Sequence, residues 1–215
     1  MRFDTTRLEA FSDGVFAIAI TLLVLDLRVP PHRPGQSLSS ALGHEWPSYG
    51  AYLVSFAVVG IIWINHHSVF RAVRQVDRPV LFANLFLLGV VSIIPFPTHL
   101  LAEYLRDGWN GNVAAVVYTA AMLAMSNGFS ALWLLITRER ADLLHEHVDR
   151  TQARAAIRRF GSGLFVYLAT LAVAVFSAGV ALIIHGVIAV FYSFDQLTGA
   201  APGRADAAAT TDGAV

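Results

Sequence analysis

From Gly14 to Leu25 the chain offers a single polar side chain, Thr21, in an otherwise apolar run, and comparable runs follow in residues 51–64, 79–94, 113–125 and 160–194. A bilayer core is about 30 Å thick and takes about 20 mostly apolar helical residues to cross. In hydrocarbon every backbone N–H and C=O has to be paired inside the protein. A chain built from such runs is read as an all-α integral membrane protein. Composition agrees, at 56% hydrophobic and 14% charged residues.

Taken in order, helix 1 spans about Arg7 to Arg28 and is stopped by Pro30, Pro31 and Pro34, since proline cannot continue the backbone ladder. A cleaved leader would need a small-x-small site after the run, but Asp26-Leu27-Arg28 and VPPHRPG stand there, so the helix is read as retained. A polar loop runs to about Glu45. Helix 2 covers Pro47 to about Phe70, and helix 3 covers about Pro79 to Leu101 with a kink or early stop at Pro95 and Pro97. Helix 4 covers about Asn112 to Ile136. Residues 137–159 are polar and arginine-rich, which predicts a helix at the membrane surface. Residues 160–194 would make a helix of about 52 Å, too long for one crossing, so they are read as a hairpin broken near Ser177-Ala178-Gly179. The layout is six transmembrane helices over residues 1–194. A small, polar, low-complexity tail over 195–215 is expected to be disordered.

Arginine placement gives the orientation. All fifteen basic residues are arginine, and alternate loops divide them twelve to three. The majority side holds the N-terminus, the turn with Arg71, Arg74 and Arg78, and the segment from Arg138 to Arg159. The positive-inside rule therefore predicts both termini to be cytoplasmic. Net charge is +0, so no basic surface for nucleic acid is expected. The absence of cysteine removes disulfides, thiolate metal sites and cysteine nucleophiles. No phosphate-binding glycine loop, nucleophile elbow or dinucleotide fingerprint occurs, and the sequence around His145, Glu146 and His147 lacks the spacing of a zinc hydrolase. No enzyme, cofactor or metal centre is expected.

At about 100° per residue, Ile18, Thr21, Leu22 and Leu25 fall on one stripe of helix 1, while Ser12 and Asp13 straddle the opposite side. Polar groups inside a membrane dock against other helices of the same chain or serve function. His66 and His67 near the end of helix 2, and Asn84 near the start of helix 3, share the depth of Asp13 and are its expected partners. Their plain reading is polar glue. The functional alternative is a proton relay or coupling-ion site. The stripe is left for lipid, a neighbour or a symmetry axis. His185 is expected to be a bonded packing histidine.

The pattern Arg7, then Phe11-Ser12-Asp13, followed at once by GVFAIAITLLVLDL, resembles the first-helix signature of the lysosomal potassium channel family (transmembrane protein 175 type), in its single-repeat prokaryotic branch. The resemblance implies a potassium channel whose pore lies on the symmetry axis and is lined by helix 1, without re-entrant filter loops. Animal members carry two six-helix repeats and work as dimers, so a single-repeat chain implies a homotetramer. The family's isoleucine constriction falls on Ile18, its further apolar layers on Leu22 and Leu25, and its pore-facing threonine on Thr21. Arg7, Phe11, Ser12 and Asp13, with His66, His67 and Asn84, would hold helix 1 or move with it in gating. Partners would be the lipid bilayer, other copies of the chain and permeant potassium ions. Selectivity over sodium should be modest, because the Thr-Val-Gly-Tyr-Gly carbonyl filter is absent. The alternatives are a proton- or cation-coupled transporter using Asp13 and a helix-2 histidine, and a membrane scaffold. The paired broken helices of transporters are not visible.

Overall fold

The computed structural model describes residues 2–145 and 163–199. Helix α1 (Thr6–Leu22) is started by Asp4, whose carboxylate accepts from both the backbone N–H and the hydroxyl of Thr6, and it tightens into a 3-10 turn over Leu23–Asp26. A short helix α2 (Leu38–His44) follows, capped by the Ser37 hydroxyl, where the sequence reading has only loop. Helix α3 (Trp46–Arg71) carries Pro47 in its first turn, where a missing N–H costs nothing.

The third apolar run is broken as expected. Helix α4 (Arg78–Ile93) gives way at Ile94 to helix α5 (Pro95–Tyr104). Pro95 has no N–H for the carbonyl of Val91, which accepts instead from the Ile94 N–H at 3.1 Å. Helix α6 (Gly108–Leu134) starts four residues before the expected position. Its entry is crowded, since a Cβ on Gly111 would lie 2.6 Å from the Tyr104 carbonyl oxygen.

Beyond α6 the expected surface helix is not continuous. Residues Leu135–Glu139 form a π turn and Ala141–Leu143 a 3-10 turn, and the remainder of that stretch lies outside the described residues. Helices α7 (Gly163–Ala174) and α8 (Ala178–Gly199) meet at a tight turn around Ser177. Asn112 at the start of α6 fixes that turn by accepting from the Ala178 N–H at 3.0 Å. The helix continues past 194 into what was expected to be tail, because Gln196 and Leu197 are good helix formers and the first glycine is Gly199. Residues 200–215, the rest of that tail, lie outside the described residues.

Among the described residues four helical segments are long and apolar enough to cross a membrane: Thr6–Asp26, Trp46–Arg71, Arg78–Tyr104 and Gly108–Glu139. Helix α1 packs against α3 and α4. The other extensive pairings are α3 with α5 and α8, and α6 with α4 and α5. Polar links join these helices where no water competes. The Ser55 hydroxyl on α3 lies 2.8 Å from that of Thr98 on α5 and 3.0 Å from that of Tyr118 on α6. Thr119 meets His185 of α8 at 3.0 Å, which makes His185 the expected bonded packing residue. Such bonds act as glue between helices that lipid tails could otherwise separate.

At the end of the bundle where α1 begins, a two-residue strand β1 (Arg2–Phe3) pairs antiparallel with β2 (Val76–Asp77), between α3 and α4. Arg2 pairs with Asp142, and Arg140 with Asp77 at 2.8 Å. Asp77 also caps α4 through the Val80 N–H. The chain entering α1 is thereby tied to the turns beside α4 and α6.

Candidate functional site

Helix α1 has two faces of different character. Leu8, Ser12, Phe16, Ala19 and Leu23, spaced by three or four residues, are buried against the bundle. On this inner face the Ser12 hydroxyl donates to the Leu8 carbonyl at 2.8 Å and accepts from the Asn84 amide at 3.1 Å. The Asn84 carbonyl lies 2.8 Å from His66 Nε2, which therefore carries the proton and donates. The result is a directed chain from α3 through α4 to α1. The His66 ring is clamped between Phe16 and Phe70, with ring centroids 5.3 and 4.6 Å away. Ser12, Asn84 and His66 are all buried to 1% exposure or less, and the bonds between them fix α1 against α3 and α4.

Asp13 is not part of this chain. The sequence reading pairs it with His66, His67 or Asn84, whereas the structure gives it Trp63, whose indole N–H donates to Oδ1 at 2.8 Å. The reason is angular. Asp13 lies about 100° around the helix from Ser12, so the two cannot share one seam. Ser12 turns toward α4 and Asp13 toward α3. His67 is exposed and stacks on Trp63 at 6.4 Å. Phe11 is 54% exposed and stands outside the polar network in which it was expected. Arg7 is also exposed, with no ion pair among the described residues. Trp63 was legible in principle, since an indole N–H inside a membrane segment needs an acceptor.

The opposite face carries the apolar stripe. Ile18 is 61% exposed, Leu22 42% and Leu25 70%, and Thr21 is exposed between them. The Thr21 hydroxyl donates to the carbonyls of Ala17 and Ile18, at 2.8 and 3.0 Å. Its hydrogen is committed to the helix, and its oxygen lone pairs are what it offers outward. A cation facing this stripe would therefore meet an acceptor. None of the four residues contributes to the buried core of its own bundle.

At its far end α1 is held again, by a group the sequence reading did not find. Asp26 accepts from His99 on α5 at 2.8 Å, and Arg28 reaches both His99 and Glu103. Among the described residues no cluster of histidine and acidic side chains could hold a metal ion.

Residues 7–95 match the family model described as "Endosomal/lysosomal potassium channel TMEM175". A potassium channel of Streptomyces collinus is 50% identical over 194 residues, covering 90% of this chain and 94% of that one. The endosomal/lysosomal proton channel TMEM175 of Gallus gallus is 33% identical over 148 residues, which are 65% of this chain and 29% of that longer protein. Among solved structures, a lysosomal potassium-selective channel TMEM175 homolog from Chamaesiphon minutus superposes with a TM-score of 0.79 at 38% identity, covering 89% of this chain and 97% of that one. This is a family of ion channels and not an enzyme class. With half of the aligned residues identical across nearly the whole length of a bacterial potassium channel, the chain belongs to the TMEM175 family of potassium channels.

Proposed function

We propose that this protein is a potassium-selective cation channel of a prokaryotic cell membrane, with six spans per chain, both termini cytoplasmic, and four copies around a common axis. Helix α1 of each copy faces the axis with Ile18, Thr21, Leu22 and Leu25. The observation that carries this reading is the exposure of that stripe. The helix leaves Ile18, Thr21, Leu22 and Leu25 off its own bundle, while its other face, with Phe16, is locked inward by Ser12, Asn84 and His66.

Four Ile18 side chains at one level make a hydrophobic constriction, which closes by dewetting when narrow. When it is slightly wider than a bare ion, a passing cation sheds part of its water. Sodium, smaller and more strongly hydrated, loses more than potassium. The Thr21 oxygens one turn on supply partial replacement. With no ring of carbonyl ligands, the preference stays modest. Asp13 and Trp63, at the other end of the stripe, hold the helix and do not line it.

The test is flux through purified protein in liposomes, with potassium or sodium as the only permeant cation. A channel passes potassium faster than sodium, without a coupling ion and without saturating as a carrier does. Asp13→Asn should alter open probability and leave the selectivity ratio in place, whereas a transporter that titrates Asp13 would lose its flux. No flux in either cation, from protein shown to be a folded tetramer, overturns the proposal. That the animal relatives are proton channels favours protons as a second permeant ion. A proton current with potassium absent would report it.

A further inference from the structure

Helices α4 and α6 run in opposite directions and are joined at one end by an ion pair. Asp77, which caps α4, meets Arg140, just past the π turn that closes α6. Further in, Gly128 lets the two helices lie close, since a Cβ there would stand 3.5 Å from the Phe86 ring. From that level Arg78 is nine residues back from Leu87 along α4, and Arg138 is ten residues on along α6. At 1.5 Å per residue these are about 14 and about 15 Å, so the two side chains start at one depth. That depth is the end of two membrane-length segments, Arg78–Tyr104 and Gly108–Glu139. Both arginines are exposed, and neither has an ion pair among the described residues. Beneath Arg78 on the same face come Phe82 and Phe86, 70% and 62% exposed. Beneath Arg138 come Leu134, 37% exposed, and Ala131, also exposed. Each helix turns its opposite side, with Asn84 and Phe129, into the bundle, so the two exposed stripes border one outer groove.

We propose that this groove binds an anionic phospholipid, with its headgroup phosphate between Arg78 and Arg138 and one acyl chain laid along Phe82, Phe86 and Leu134. A phosphodiester accepts paired hydrogen bonds from a guanidinium, and the planar fork of arginine matches its oxygens. Cations at the end of a span followed by exposed apolar rings repeat the order of groups in a lipid, charged at the surface and hydrocarbon beneath. Charge selects among lipids. Two guanidiniums attract a headgroup whose net charge is negative, whereas a zwitterionic lipid brings an ammonium group to the same place. Glu139 is the exposed acid beside Arg138, and it pairs with neither arginine. A second copy of the chain is the poorer occupant, because it would have to bring acids to both arginines. At this end of the bundle Asp77 and Asp142 are already paired with Arg140 and Arg2, and Asp4 is engaged at the start of α1. The bound lipid would bridge α6 to α4, the helix that holds helix 1 through Asn84 and Ser12. The site needs the chain to lie in a bilayer and does not need it to conduct. That the lipid belongs to the cytoplasmic leaflet rests on the orientation proposed above.

The test is native mass spectrometry of the delipidated full chain in detergent, titrated with phosphatidylglycerol or with phosphatidylcholine of the same acyl chains. It reads the lipids retained and the number of copies together, and it needs no flux, so a failure of the channel reading leaves it intact. Wild type should retain severalfold more phosphatidylglycerol than phosphatidylcholine. Arg78→Gln with Arg138→Gln should bring retention of the anionic lipid down to the phosphatidylcholine level. Arg71→Gln, an exposed arginine of the same end but on α3, should retain it as wild type does. Inorganic phosphate at the same concentration should not displace the lipid. Equal retention of the two lipids by wild type, or unchanged retention by the double variant, overturns the inference. So does an equal loss in Arg71→Gln, which would mean diffuse surface charge, or displacement by phosphate, which would mean an ion site without a place for the chain. A double variant that falls to fewer copies with unchanged lipid per copy also overturns it, and gives the groove to a second copy. Where the double variant fails to fold or loses both copies and lipid, Leu134→Trp decides. It fills the groove and keeps both arginines, so it should lose retention severalfold with the number of copies unchanged, and wild-type retention there overturns the inference.

Discussion

Ile18→Asn is expected to raise cation flux about tenfold, a barrier lowered by roughly 1.4 kcal/mol, and to bring the potassium-to-sodium ratio close to one. The wild-type side chain is branched, apolar and 61% exposed, with nothing in its own bundle to cover it. A ring of such groups repels water, and an ion must pass it with part of its hydration gone. Asparagine offers a carbonyl and an amide at the same level, so water stays in the constriction and the ion keeps its shell. Without dehydration there is little to separate sodium from potassium. The same substitution at Val187 on α8, equally exposed at 63%, changes surface polarity away from helix 1. It should leave flux and ratio as they are. Liposome flux in the two cations checks both variants.

The second large effect is on integrity. Asn84→Leu keeps the side-chain shape but strands the His66 N–H in a fully buried site and removes a donor from Ser12. An orphaned buried donor costs about 1–3 kcal/mol. Interhelical hydrogen bonds measured in membranes average nearer ~0.6 kcal/mol, because the helices find other partners when apart. The tight clamp of His66 between Phe16 and Phe70 argues for the upper range, since the ring cannot turn away to find one. A fall in the thermal midpoint of the detergent-solubilised protein is the expected readout. Adding His66→Phe to Asn84→Leu should recover part of the loss, because removing both partners is cheaper than removing one. If the double variant were as unstable as the sum of the singles, the network would not be what holds α1.

How much of this was legible in the sequence depends on the kind of signal. The spans announce themselves through uninterrupted apolar length, and the break at Ile94 through Pro95 and Pro97. Ser12, Asn84 and His66 could be brought together because each is a polar residue at matching depth in an apolar helix. The same logic failed for Asp13. Depth alone does not say which seam a side chain enters, and the donor it found, Trp63, is counted among the hydrophobic residues by composition. Asp26 and His99 stand 73 residues apart with no periodicity linking them. Their meeting depends on the 3-10 turn that rotates Asp26 inward, which no residue pattern foretells. Helix α2 is only seven residues long, too short for amphipathic periodicity to emerge.

The central claim is that the exposed stripe of α1 faces the ion path, and the chain's lack of cysteine allows it to be tested one position at a time. Leu25→Cys, Leu22→Cys and Val187→Cys proteins would be reconstituted, and potassium flux followed while a charged, water-soluble thiol reagent is added. The account predicts that modification stops or sharply reduces flux in the Leu22 and Leu25 variants and leaves the Val187 variant unaffected. Flux that continues unchanged after Leu25→Cys has been fully modified would contradict it, and would place the ion path away from helix 1.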